Sequence, residues 1–214
     1  MTTIPFTSPA DADKSAAQVV QHLRAGGLIA YPTETVYGFG SLTRDDAVAA
    51  LAALKARDPS KPFLLLIRQA SDLPGLEWTP SARRLADRFW PGALTLALRV
   101  QGDFPSRILS SEGAVAVRAT PHTGLRILLE RLGEPITSSS ANLPGGAPAT
   151  SADEVAAMLT ELGRSDVMIL DGGQLPPSAS STLVDCLHEP PRLLRAGVIT
   201  TEALTQVVEL EIDD

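Results

Sequence analysis

Short apolar blocks run the length of the chain, and their spacing switches repeatedly between the helical and the extended period. Ala16, Val19, Val20 and Leu23 recur at helical spacing and Gly26 stops them, which predicts a helix over 15–24 behind a loose polar lead-in, 1–15. Leu28-Ile29-Ala30 reads as a buried strand, 28–32. Ala47, Val48, Leu51 and Leu54 give an apolar face to a helix over 43–56, with Thr43 and Asp46 placed as its N-terminal cap. Phe63-Leu64-Leu65-Leu66-Ile67 is a further buried strand. Thr79-Pro80 opens a helix that Trp90-Pro91-Gly92 breaks. A strand over 93–100, a loop over 101–113 and a strand over 114–118 follow. Thr120-Pro121 opens a helix that runs to Leu132 and stops at Gly133. A short strand at Pro135-Ile136 then enters a hydroxyl-rich loop, Thr137 to Gly146, and Ser151 with Glu154 announces a capped helix ending at Gly163. Strands over 167–171, 183–187 and 192–197 precede a closing helix, 201–210, and an acidic tail.

Strands alternating with helices give an α/β domain with a twisted mixed β-sheet and flanking helices. There is no internal repeat and no domain-sized linker, so the expectation is one domain over 1–214 with its core at about 15–200. Hydrophobic content of 44% with 20% charged residues is ordinary globular composition. No apolar run approaches the roughly 20 residues of a membrane span, and the start of the chain lacks a basic segment followed by an apolar one. A single cysteine, Cys186, precludes an internal disulfide and fits a reducing cytoplasm. Its apolar setting, Leu183 to Leu187, reads as a packed position and not a nucleophile. The net charge of −7 weakens any case for RNA held by charge alone.

Several apolar segments end in polar or cationic groups. The strand 28–32 runs into Thr33-Glu34-Thr35-Val36-Tyr37, closed by Gly38 and Gly40. Polar groups at the carboxyl ends of strands are site candidates in an α/β sheet, while Thr-Glu-Thr also suits the wet face of a hairpin; composition leaves both open. Lys55, Arg57 and Lys61 gather around two prolines. The helix dipole accounts for Lys55 and Arg57 but not for Lys61, beyond the helix, which favours an anion-binding loop. Arg118 ends one strand, Ser138 to Asn142 follow another, and Ser181 and Arg195 repeat the design. Converging, these ends would form a pocket for a nucleotide phosphate and a small zwitterion. The glycine–lysine signature of a P-loop, the dinucleotide-binding glycine pattern and a serine-hydrolase elbow are all missing. His22, His122 and His188 lack metal-ligand spacing, and only His122, shortly after Arg118, falls near the candidate pocket.

Six motifs in order resemble the YrdC/Sua5/TsaC family, the threonylcarbamoyl-adenylate synthases of tRNA modification. They are Tyr31-Pro32-Thr33-Glu34-Thr35-Val36-Tyr37-Gly38-Phe39-Gly40, where the family has Leu for Phe39; Lys55-Ala56-Arg57; Val117-Arg118; Ser140-Ala141-Asn142 with Gly145; Ser181-Thr182-Leu183-Val184-Asp185; and Leu194-Arg195-Ala196-Gly197. The resemblance spans about Gly26 to Gly197 and implies the single-domain form. It implies that L-threonine, bicarbonate and ATP, with Mg²⁺ accompanying the triphosphate, yield threonylcarbamoyl-AMP and pyrophosphate for tRNA N6-threonylcarbamoyladenosine synthesis. Carried over, Thr33, Lys61, Arg118, Ser138 and Ser181 would hold threonine. Lys55, Arg57, Ser140, Asn142 and Arg195 would hold ATP, with Lys55 and Arg57 acting in catalysis. The partners implied are downstream transferase proteins of the same modification, with tRNA contact unsupported by charge.

Three departures from the family pattern stand out. Lys61-Pro62-Phe63 replaces His-Pro-Leu, Pro148 stands about where the family carries a serine near the nucleotide, and Ala196 replaces a proline. Two other readings belong to the same fold: a double-stranded RNA-binding or ribosome-assembly factor without adenylate chemistry, and a carbamoyl-phosphate-handling domain.

Overall fold

The apolar blocks become the strands of one mixed sheet covered by helices on both faces. The computed structural model describes residues 1–212. In chain order the elements begin β1 (Thr2–Pro5), α1 (Pro9–Arg24), β2 (Leu28–Tyr31), β3 (Gly38–Gly40), α2 (Asp45–Lys55) and β4 (Leu64–Ile67). Next come α3 (Pro80–Phe89), β5 (Leu94–Arg99), β6 (Ala114–Ala119), α4 (Thr123–Leu132) and β7 (Ile136–Ser140). The chain then forms α5 (Ala152–Glu161), β8 (Val167–Asp171), β9 (Thr182–Asp185), β10 (Arg192–Arg195) and α6 (Thr201–Thr205). The strand order among the described residues is β1-β8-β2-β3-β7-β4-β6-β5-β9-β10. β8 pairs in parallel with β1 and β2, β4 with β6, and β5 with β9; the remaining neighbours are antiparallel. Strand β7 joins the two halves. It pairs with β3 through Ser139 and Ser140 and with β4 through Ile136, Thr137 and Ser138.

The period of two along each strand sorts the core into layers. Ile29 and Tyr31 of β2 face α1 and α4, meeting Val19, Leu23, Leu125 and Leu129. Leu28 and Ala30 face the other way, toward Val48 and Leu51 of α2 and Val155 and Leu159 of α5. Leu94, Leu96 and Leu98 of β5 pack against Ala82 and Leu85 of α3 and Leu204 of α6. Each fully buried leucine here contributes about 1.5–3 kcal/mol through apolar burial. Cys186 is buried just beyond β9, and desolvation pushes its thiol up to about 12, the chemistry of a packing residue.

The structure departs from the sequence expectation at several ends. The lead-in is not loose: Thr2–Pro5 is an edge strand on β8, an order supplied by its partner. Helix α1 starts at Pro9, because Ser8 and Asp11 form a reciprocal capping box with proline in the first turn. Helix α2 starts at Asp45, and its N-cap is Arg44 with no side-chain cap bond, so Thr43 does not cap. Helix α4 is capped by His122, whose Nδ1 accepts from the Leu125 amide; Thr120 instead accepts from the His122 amide, one step earlier. The hydroxyl run is itself strand β7, not a loop, and Gly38–Gly40 forms a strand because β2 and β7 flank it. The closing helix ends at Thr205, after which Glu211 bridges to Arg192; of the acidic tail, residues 213–214 lie outside the described residues. Among the described residues no helix is long and apolar enough to cross a membrane.

Candidate active site

The turn after β2 is built by one hydroxyl. Thr33 Oγ1 accepts from the amides of Thr35 (3.1 Å) and Val36 (3.2 Å) and donates to the Val36 carbonyl (2.7 Å). Thr33 and Thr35 are each only 3% exposed, so this is a buried polar turn and not the wet face of a hairpin. Behind it, β3 lies so close to β7 that a Cβ at Gly40 would fall 2.4 Å from the Thr137 carbonyl oxygen. That approach lays Ser138, Ser139 and Ser140 alongside the turn.

Ala56 ends α2 in the left-handed region, with φ of 43°, which turns the chain between Lys55 and Arg57. The Lys55 ammonium donates to the Ser140 carbonyl (2.8 Å), to the Asn142 carbonyl and to Asn142 Oδ1 (3.0 Å). Its three donors are thus all spent fastening the 140–142 segment. Burial, and then the neighbouring Arg57, push Lys55 down to about 8. Arg57 lies 4.6 Å over the Phe63 ring and donates to the carbonyls of Lys61 (2.7 Å) and Pro62 (2.6 Å) and to Ser139 Oγ (3.3 Å).

Across the cleft, Arg195 donates to the Ser181 carbonyl (2.8 Å) and to Ser181 Oγ (3.1 Å), which in turn pairs with Thr95 Oγ1 at 2.8 Å. Gly197 permits this fold-back, since a Cβ there would lie 2.3 Å from the Ser180 carbonyl oxygen. Arg118 is 4% exposed and faces Glu34 at 3.5 Å. Desolvation first and a neighbouring cation second lower both Arg57 and Arg195; the cation is Arg195 for Arg57 and Arg118 for Arg195. Three guanidinium groups therefore share one field.

These ends enclose a cleft of about 140 Å³. Thr33, Arg57, Arg118, Ser138, Ser140, Ser181 and Arg195 line it, seven of the residues proposed from sequence. Lys55 and Asn142 stand behind the wall, bound to each other. Lys61 is not brought in: its side chain is exposed and outside the lining, and its part is the backbone carbonyl that receives Arg57. His122 caps α4 and stacks on Phe6 at 5.9 Å, beside a separate cavity that also touches Glu34. The sequence reading missed Thr95 and Ser180 in the lining, and it gave Thr35 and Ser139 no role of their own although both lie in its candidate segments. A threonine within the apolar strand Leu94-Thr95-Leu96 was the one available signal, since it faces opposite to its leucine neighbours. Among the described residues, no group of three or more His, Cys, Asp and Glu is placed to hold a metal ion.

Comparison with known proteins adds to this geometry. The Sua5/YciO/YrdC family model, described as "Telomere recombination", matches residues 21–197. A threonylcarbamoyl-AMP synthase of Bacillus subtilis is 36% identical over 92% of the chain, which spans 57% of that relative. One from Alkalilimnicola ehrlichii is 39% identical over 78% of the chain and 88% of its own length. The crystal structure of Pyrococcus abyssi Sua5 complexed with L-threonine superposes with a TM-score of 0.86 at 33% identity, covering 99% of this chain and 62% of that one.

Proposed function

The chain belongs to the Sua5/YciO/YrdC family, and on that premise we propose that it is a threonylcarbamoyl-AMP synthase, joining L-threonine, bicarbonate and ATP with release of pyrophosphate. The observation that carries this reading is the gathering of Arg57, Arg118 and Arg195 around one hydroxyl-lined cleft. Repulsion among three cations is relieved when anions bind between them, and this reaction brings three: an amino-acid carboxylate, bicarbonate and a triphosphate.

Arg118, with Thr33, Ser138 and Ser181, is assigned to threonine. Arg57, Arg195 and Ser140 are assigned to the phosphates, with Asn142 and Lys55 shaping the 140–142 segment beside them. Lys61 is left out of both sets because of its place outside the lining. Mg²⁺ would come with the ATP and offset part of the triphosphate charge, since the cleft wall offers hydroxyls and no carboxylate to hold it.

The threonine amine, as the free base, first adds to CO₂ with loss of a proton, or to bicarbonate with loss of water, to form a carbamate. A carbamate oxygen attacks the α-phosphorus, and the bond to the β-phosphate oxygen breaks as pyrophosphate leaves. No side chain is asked to serve as a covalent nucleophile. The protein's work is to place the carbamate and the triphosphate in line and to stabilise charge on the phosphoryl oxygens with Arg57 and Arg195.

Incubation with ATP, bicarbonate and either L-threonine or L-serine tests this directly. Pyrophosphate and a labile adenylate are expected only when amino acid and bicarbonate are both present. ATP turnover indifferent to both, or RNA binding that falls steeply with salt and involves no turnover, overturns it.

A further inference from the structure

Arg118 reaches the cleft from β6, but Glu34, its ionic partner, does not line that cleft; it lies on the far side, toward the cavity beside His122. The pair is held at 3.5 Å between Arg118 Nη1 and Glu34 Oε1. Arg118 Nε and Glu34 Oε1 are both buried without a hydrogen-bond partner. Glu34 is itself steered: Thr120 Oγ1 donates to Glu34 Oε2 (3.2 Å) and accepts from the His122 amide (3.1 Å) at the start of α4. A line of contacts thus runs from the first turn of α4 through Thr120 and Glu34 to Arg118. A buried carboxylate oxygen without a partner is costly, so the charge of Arg118 facing Glu34 Oε1 favours this arrangement over one in which the pair separates.

We propose that Glu34 is a positioning residue: it holds the Arg118 guanidinium from behind, so that the remaining N–H groups point into the cleft toward the amino-acid carboxylate. The nature of that ligand rests on the functional reading above; the positioning of Arg118 does not. A guanidinium carries five donors in a rigid fork, so fixing one edge fixes the direction of the other. Glu34 also offsets part of the charge of the most buried of the three arginines, which keeps Arg118 in place while the cleft is empty.

The test uses two variants, Glu34→Gln and Thr120→Val, the second leaving the carboxylate in place should the first fail to fold. In ¹⁵N-labelled protein the Arg118 Nε–H resonance, assigned by its loss in Arg118→Lys, reports the guanidinium without any substrate. It is expected to be protected from solvent exchange in the parent and to shift and lose protection in both variants. In turnover, the threonine KM is expected to rise about tenfold in Glu34→Gln while the ATP KM stays within about twofold, the split of a group acting on one substrate only. An unchanged Arg118 resonance in the folded variants overturns the proposal. So does a shifted resonance with unchanged threonine KM, or an equal rise in both KM values. If the parent turns over no threonine yet the resonance still moves in both variants, the positioning stands and the threonine assignment falls.

Discussion

Lys55 holds its loop with a charge that the fold itself makes easy to lose. Its ammonium has three acceptors and no donor left over, so on the proposed function it would act on the nucleotide only through the 140–142 segment that it fastens. Lys55→Ala releases that segment and is expected to raise the ATP KM about tenfold or more, the scale of losing charge-assisted hydrogen bonds, with the threonine KM little changed; steady-state kinetics in each substrate check it. The pH dependence has a definite sign. Below about pH 8 Lys55 is protonated and the clamp is intact; above it the group sheds a proton and with it a donor. A bound triphosphate favours the charged form, so ATP raises this pKa and binding takes up a proton on the alkaline side. ATP affinity is therefore expected to be flat below about pH 8 and to fall above it by at most about tenfold per pH unit. Lys55→Arg, charged throughout, is expected to flatten that limb; an unchanged alkaline fall in this variant would assign it to another group.

At the scale of elements, two backbone features fix where the side chains arrive. Ala56 occupies a left-handed conformation that costs an L-residue about 1–2 kcal/mol, and the α2 turn depends on it. Ala56→Gly is expected to raise unfolding stability by up to about 1 kcal/mol in urea titration while keeping activity. Gly40→Ala puts a methyl against the Thr137 carbonyl and is expected to lower stability by about 1–3 kcal/mol and to push β7 and its serines out of place. These features also mark how far the fold was legible. Strands with continuous apolar runs, such as β2, β4 and β8, announce themselves, and so do helices opened by Thr-Pro or Ser-x-x-Glu. Strands β1, β3 and β7 do not. Thr-Thr-Ile-Pro, Gly-Phe-Gly and a run of hydroxyls have no extended preference strong enough to read; their conformation is imposed by neighbours distant in sequence. The start of α1 was written in Ser8-Pro9-x-Asp11 and is a signal that apolar spacing alone passes over.

At the scale of the molecule, a chain of net charge −7 concentrates three arginines at one cleft. Pyrophosphate is expected to stabilise the protein: at about a hundredfold its Kd the gain is about 2.7 kcal/mol, or roughly 5–10 °C in Tm for a chain of this size. Differential scanning fluorimetry reads it, and Arg195→Ala is expected to reduce the shift while equal ionic strength of chloride does not reproduce it in the parent. Most of this site was legible because its residues sit at the ends of apolar runs, where a polar group has a reason to be noticed. Lys61 falls outside the lining, and a cation next to a motif carries no information about which way its side chain leaves the loop. Thr95, and the pairing of Glu34 with Arg118, escaped because the partners, Ser181 and Arg118, are 86 and 84 positions away, and proximity of that kind exists only after folding.

Strand β7 carries one last consequence. Its ladder to β3 and its ladder to β4 weld both halves of the sheet into a continuous floor beneath the cleft. A clamshell motion of the two halves would break the backbone hydrogen bonds of that floor, which leaves the rim as the route for reactants. That rim is made of connecting segments outside the ladders, around 57–63 and 172–181, the second tethered where the Tyr37 hydroxyl meets Gly172 and Gly173. Amide exchange during turnover should therefore quicken in those rims and leave the floor silent.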